Sequence, residues 1–283
     1  MGAVMTRIAR FLVFALALAW PETSGQPVQA QELHDQQIET AYVPPKTVKY
    51  NAILDRLKKR RTLEFLAEFI SPLVLPHAFH LVTAECGEDN AFYSPGQWKL
   101  TLCYEFVENL ERIAPKPGQR TKDGFTHDEV VTGEIVETLL HELGHAAFDM
   151  LKDPVFGREE DAADQMAIFL VLQFSPPVAR LITRGDLYFW KNDKNPTAWK
   201  AYSDEHGTAS QRFYNELCWT YGGNPQAFQD LADSWLPKQR AENCAAEYEL
   251  IRAAFAKTIL PFIDPAMMAK VQQRDWLKVL TGK

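Results

Sequence analysis

The chain has 283 residues, 46% of them apolar, with 30 basic and 37 acidic side chains and a formal net charge of −7. That length and apolar content suffice for a sizeable core, in one large domain or two small ones. The acidic balance argues against nucleic acid or an anionic membrane surface as the partner.

Arg7 and Arg10 precede an apolar run from Phe11 to Trp20, and Val28-Gln29-Ala30 follows a polar stretch. This is the pattern of a secretory leader, expected over residues 1–30. The run is too short for a spanning helix, which needs about 20 apolar residues. A retained anchor is the alternative reading of the same flanks, and no Cys stands near the cleavage site for a lipid. The leader carries two Arg and one Glu, so the remaining 253 residues have a net charge of −8. The expectation is a periplasmic or secreted protein with no stable membrane anchor after cleavage. An even number of cysteines in such a chain reads as two disulfides. Proximity in sequence favours Cys86–Cys103 and Cys218–Cys244.

Residues 31–49 are polar, with a Pro44-Pro45 pair, and read as a flexible lead-in to a single domain over 50–283. Ile53, Leu57, Leu63, Leu66 and Phe69 predict one amphipathic helix over about 50–70, ended by Pro72 and Pro76. Phe79 to Cys86 and Trp98 to Phe106 read as strands, with a turn at Ser94-Pro95-Gly96-Gln97. Residues 114–126 read as a surface loop. Helices are expected near 128–151, 158–174, 177–185, 208–221, 225–235 and 241–258. The fold class is therefore α+β: a small N-terminal antiparallel sheet or hairpin, then a helical C-terminal half.

Residues 134–150 read EIVETLLHELGHAAFDM. His141 and His145, four apart on a helix, lie about 40° apart in rotation and can reach one metal ion. Glu142 faces the same cleft, where it can take a proton from an activated water. Gly144 costs roughly 1 kcal/mol in helix propensity relative to Ala, which asks for a closely packed neighbour. Catalytic zinc sites use three protein ligands and keep one position open. Residues 157–168, GREEDAADQMAI, supply the third. Glu160 is favoured, because Ala162, Ala163 and Ala167 let this helix lie close to the first; Glu159 and Asp161 are rivals. Asp164, one turn after Glu160, can accept the N–H of a ligating imidazole and fix its tautomer.

With HELGH followed by Glu160-x-x-Ala163-Asp164, the chain resembles the gluzincin branch of zincin metallopeptidases. Asn90, Ala91, Phe92 and Tyr93 resemble the edge strand with which thermolysin-like members grip a peptide backbone. More closely, residues of about 50–260 resemble a bacterial family of unknown function labelled "putative metallopeptidase", in AECGEDNAFY, LTLCYE, HELGHAAFD, GREEDAADQ and QRFYNELCWTYG. The resemblance implies a zincin-like fold, one catalytic zinc held by His141, His145 and Glu160, and Glu142 as general base. The spacer from His145 to Glu160 is shorter than in thermolysin, which implies a reduced version of that fold.

The expected function is that of an exported zinc metallopeptidase acting on a peptide or protein. Hydrolysis by this route also needs an oxyanion donor. His206, oriented by Asp204 or Glu205, is the first candidate in residues 202–214, with Tyr214 and Arg212 after it. Asn90, Ala91 and Phe92 are candidate substrate contacts, because an exposed strand edge can pair with an extended peptide. Phe213, Tyr214, Trp219 and Tyr221 read as core packing. A non-catalytic zinc or partner-binding protein is the alternative function, although a purely structural site has no use for Glu142. A carboxylate-bridged di-iron site needs a second Glu-x-x-His, which this sequence lacks.

Overall fold

Phe79–Ala84 (β2) buries every second side chain, the two-residue period of a pleated strand with one face against a core. The computed structural model describes residues 38–192 and 203–282, so the leader expected over 1–30 lies outside the described residues. On one side β2 pairs in parallel with Lys99–Cys103 (β4), and on the other with Ile38–Tyr42 (β1). Ala91–Ser94 (β3) runs antiparallel to β4, giving the order β1-β2-β4-β3.

The sheet is thus mixed, a correction to the antiparallel sheet expected from sequence. The Cys86–Cys103 bond explains part of this. It joins the C-terminal ends of β2 and β4, where Ala84 stands opposite Cys103 in register. The turn at Ser94–Gln97 does make a hairpin, of β3 with β4, helped by Gly96 at φ +77°. Part of the expected lead-in is also structured, since β1 falls within it. It is a short, mostly exposed edge strand whose Tyr42 hydroxyl donates to Glu64 (2.7 Å), too brief to show a period.

The helix expected over 50–70 is two helices, Asn51–Arg60 (α1) and Thr62–Ile70 (α2), parted by Arg61 in the left-handed region at φ 53°. The second expected strand stops at Cys103. From there Tyr104–Ile113 (α3) turns Tyr104, Val107 and Leu110 onto one buried face, a helical spacing that the preceding alternation masks.

His127–Leu151 (α4) is the central helix, buried on almost every face from Val130 to Ala147. Its start is fixed by a capping box: Thr126 accepts from the Glu129 N–H, and Glu129 accepts from the Thr126 N–H (2.9 Å). Around it lie Glu159–Val171 (α5), Pro176–Asn192 (α6) and Ala209–Gly223 (α7). The chain continues in Pro225–Trp235 (α8), Lys238–Thr258 (α9), Pro265–Gln272 (α10) and Trp276–Thr281 (α11). The second disulfide, Cys218–Cys244, ties α7 to α9.

Two glycine contacts set how closely α4 meets its neighbours. A Cβ on Gly144 would stand 3.0 Å from the Cα of Ala163 on α5. One on Gly185 of α6 would stand 2.5 Å from the Glu129 carbonyl of α4. Both crossings are backbone against backbone, which only small residues permit.

Candidate active site

The Gly144–Ala163 contact lays α5 against the C-terminal half of α4 and so brings Glu160 over the two histidines of HELGH. His141 Nε2 lies 3.2 Å from His145 Nε2 and 3.1 Å from Glu160 Oε2, while His145 Nε2 lies 3.5 Å from Glu160 Oε1. Ligands on one tetrahedral ion at about 2.0–2.1 Å stand roughly 3.3–3.4 Å apart. The two nitrogens and one carboxylate therefore already have the mutual spacing of a three-point metal site. Glu159 does not join them. It accepts from His145 Nδ1 (2.8 Å), and Asp161 pairs with Arg158 (3.0 Å).

Both imidazoles are held in the same way. His141 Nδ1 is 2.7 Å from Asp164 Oδ1, and His145 Nδ1 faces Glu159. That pattern lets each Nδ1–H donate to its carboxylate and turns each Nε2 to the shared point, where it can ligate a metal once its own proton is lost. Asp164 is in turn gripped by Arg212 of α7, through Nε to Oδ2 (2.9 Å) and a second bond to Oδ1. Arg212 is buried, its guanidinium 4.0 Å over the Trp190 ring, and so stands behind the site; it was expected as an oxyanion donor.

The electrostatics follow from this clustering. Burial opposes charge on His141, but the Asp164 and Glu160 carboxylates outweigh it, and the imidazole is pushed up to about 10. Burial likewise works against the Glu160 anion, and hydrogen bonds from His141, His145 and His206 overcome it, holding the carboxyl well below the usual range. A metal ion at these nitrogens must displace protons, so its affinity falls with falling pH.

Glu142 is buried beside the triad. Its Oε2 accepts from the backbone N–H of Tyr93 (2.7 Å), which fixes one oxygen and leaves the other unengaged by that bond. Burial pushes its carboxyl up from the ordinary glutamate value. The donor is on β3, the outer strand of the sheet. The Cys103 N–H donates to the Asn90 carbonyl (3.2 Å), so by antiparallel alternation the peptide groups of Ala91 and Tyr93 point away from β4. They face an open cleft of about 520 Å³ lined by Asn90, Ala91, Phe92, Glu142, His145 and His206, among others. Tyr93 also fastens β3 to α4, its hydroxyl donating to Asp149 (2.8 Å).

His206 lies on the opposite wall, with Nε2 2.9 Å from Glu160 Oε2 and Nδ1 2.9 Å from Asp204; Asp204, not Glu205, is its partner. Contact with Glu160 is the main reason its imidazole is raised above the ordinary histidine value. Tyr214 is 41% exposed beside Phe213, outside both the cleft lining and the core expected for it, whereas Phe213 and Trp219 are buried. Sequence reasoning missed the Tyr93–Glu142 bond and the Arg212–Asp164 clamp. The first is made by a backbone group, and the second spans 48 residues with no local period to announce it.

A family model described as "Putative metallopeptidase" matches residues 42–259, a span that takes in β3, the HELGH helix, α5 and α7. Among curated proteins and among solved structures, none matches the chain.

Proposed function

The chain belongs to the putative metallopeptidase family, and from that premise we propose that it is an exported zinc enzyme that hydrolyses peptide bonds. The observation that carries the reading is the convergence of His141, His145 and Glu160 at 3.1–3.5 Å, with His145, Glu160 and the Glu142 carboxylate lining an open cleft. An all-protein fourth ligand would argue for a structural site. Here His145 and Glu160 line the cleft, which supports the open position that catalytic zinc sites keep.

His141, His145 and Glu160 would hold the ion, and when bound it supplies Lewis acidity that polarises a carbonyl and lowers the pKa of water toward about 7. Glu142 is the general base. Tyr93 tethers its Oε2, so Oε1 takes the proton of the attacking water and later returns it to the leaving amine. The raised carboxyl suits this double duty, because a base works best with a pKa near the operating pH. His206, steadied by Asp204 on Nδ1, is the candidate donor to the oxyanion through Nε2–H, which in this structure meets Glu160. The outward peptide groups of Ala91 pair with an extended substrate laid along β3, with Asn90 and Phe92 beside it. Asp164 and Glu159 position the imidazoles rather than meet substrate.

Export is supported by the leader-like residues 1–30 and by two disulfides, which persist in oxidising compartments. No described helix is long and apolar enough to cross a membrane.

The test measures bound zinc and cleavage of a denatured protein mixture. Glu142→Gln is expected to keep one zinc and lose cleavage, and Glu160→Ala to lose zinc. His206→Ala is expected to keep zinc and lose about 10²–10³ in rate. A wild-type protein that binds zinc and cleaves nothing would instead be a non-catalytic zinc protein. Full zinc in Glu160→Ala would move the third ligand elsewhere.

A further inference from the structure

Beneath the His141 site the same helix carries two more acids, Glu137 and Glu134, one and two turns back toward its N-terminus. Asp186 of α6 and Glu216 of α7 meet them there. All four are at most 1% exposed. Oxygens of Glu134, Glu137 and Asp186 lie within 4.8 Å of one another, and those of Glu137, Glu216 and Asp164 do likewise, so Glu137 joins the two groups.

What sets this cluster apart is the lack of protein donors. Glu134 Oε1 has a long contact from Thr138 (3.4 Å), and Arg212 Nε stands 3.5 Å from Glu216. Among the described residues no hydrogen bond from outside the cluster reaches Glu134 Oε2, Glu137 Oε1, or either oxygen of Asp186 or Glu216. The hydroxyls of Thr183, three residues before Asp186, and Thr220, four after Glu216, are also buried and without a partner. Arg212 is the buried cation nearest these acids, and it is committed to Asp164. Four ionised carboxylates taken out of water with only a share of the Arg212 charge to offset them would cost several kcal/mol each. The fold nonetheless forces them together, since Gly133 and Gly185 put the backbones of α4 and α6 in contact beside them.

We propose that Glu134, Glu137 and Asp186, with Glu216 adjoining Asp186, form a second, buried cation site that takes one hard divalent ion, calcium first among them, separate from the His141–His145–Glu160 centre. The donor set is all oxygen, with neither nitrogen nor sulfur to favour zinc. Calcium accepts six to eight oxygens at about 2.3–2.6 Å, so two ligands of one ion stand up to roughly 5 Å apart, and bidentate carboxylates are ordinary for it. Magnesium fits less well because it tends to retain several waters. Two charges on the ion offset half of the four acids. Asp186 and Glu216, which abut each other, can share a proton between them. The ion pins α6 and α7 to α4, the helix that carries the HELGH residues. With the acids so deeply buried, it enters as the chain folds and exchanges slowly afterwards.

The proposal stands on these acids alone, independent of the peptidase reading. Elemental analysis of wild type purified in calcium-containing buffer should give one equivalent of calcium beside any zinc. Unfolding in guanidinium with a chelator, then refolding with zinc alone or zinc plus calcium, should show a Tm about 5–10 °C higher with calcium near 100 times its dissociation constant. Asp186→Asn should lose the calcium equivalent and that Tm response while keeping zinc. Glu134→Gln should do the same and serves if the first variant does not fold. Absence of calcium, magnesium and manganese from wild type, with a Tm indifferent to all three on refolding, would overturn the proposal. The acids would then be held by protons, as their burial allows: it pushes Glu137 up to about 8 and the others well above the ordinary range. Loss of cleavage with calcium retained would fall on the peptidase reading instead.

Discussion

Asp164 has two strong partners and no access to the cleft. It accepts from His141 on one side and from the Arg212 fork on the other, and it is 3% exposed. Arg212 holds its carboxyl below the ordinary aspartate value against the effect of burial, so it presents a full negative charge to the imidazole. Asp164→Asn keeps the shape and removes that charge. We expect zinc affinity to fall about 10–100-fold, read by competition with a chromogenic chelator, while the helices stay folded. Unchanged affinity would mean that Asp164 merely anchors Arg212. The histidines and Glu142 are visible in the sequence, because a helix places i and i+4 on one face wherever it occurs, and Glu160 is favoured there only over the rivals Glu159 and Asp161. Glu159 is different. Its position in the first turn of α5 reads equally as a ligand, an ordinary N-terminal charge or a partner for His145 Nδ1, and only the packing of α5 on α4 decides among these.

Between elements, small residues set the distances on which the side chains depend. Helix propensity alone predicts that Gly185→Ala gains roughly 1 kcal/mol. The added Cβ would, however, stand 2.5 Å from the Glu129 carbonyl and 2.7 Å from the Glu134 nitrogen, both backbone atoms that cannot swing away. The net expectation is a loss of about 1–3 kcal/mol in chemical denaturation; a stabilised variant would show that α4 and α6 separate easily.

Ion pairs between elements matter less, and one gives a readable pH dependence. Arg180 of α6 grips Asp230 of α8 through two bonds of 2.7 and 2.8 Å, and this contact holds Asp230 below its ordinary value of 3.8. A depressed acid contributes fully above its unfolded value and loses that contribution as pH falls through the folded one. The pair is mostly exposed, so Asp230→Asn should cost no more than about 1 kcal/mol at neutral pH. As pH falls below 3.8 and through the lowered folded value, the gap between variant and wild type should close. A gap that widens in acid would contradict the assignment.

For the whole molecule, one disulfide belongs to the sheet and the other to the C-terminal helices. Cys86–Cys103 locks the sheet whose outer strand walls the cleft, and Cys218–Cys244 locks α7, which carries Arg212 and Glu216, onto α9. The second closes 26 residues, and replacing both of its cysteines with Ser should cost about 2–4 kcal/mol. At this chain length that is a fall of several degrees in Tm. Because α7 braces Asp164, the same variant should also bind zinc more weakly than wild type. A lower Tm with unaltered zinc affinity would show that the brace does not need the bridge.

What repeats locally was legible from the residues alone: the HELGH face, the acidic start of α5, the turn at Ser94–Gln97 and most of the C-terminal helices. Each of these is set by residues within a turn or two of one another. Strand direction, the edge strand β1 and the break at Arg61 were decided only by tertiary structure, because pairing and helix crossing join residues far apart in the chain. The same holds for the peptide bond that tethers Glu142 and for the four acids under His141. A backbone N–H has no letter in the sequence, and a buried glutamate is written like a solvated one until the neighbours that exclude water are in place.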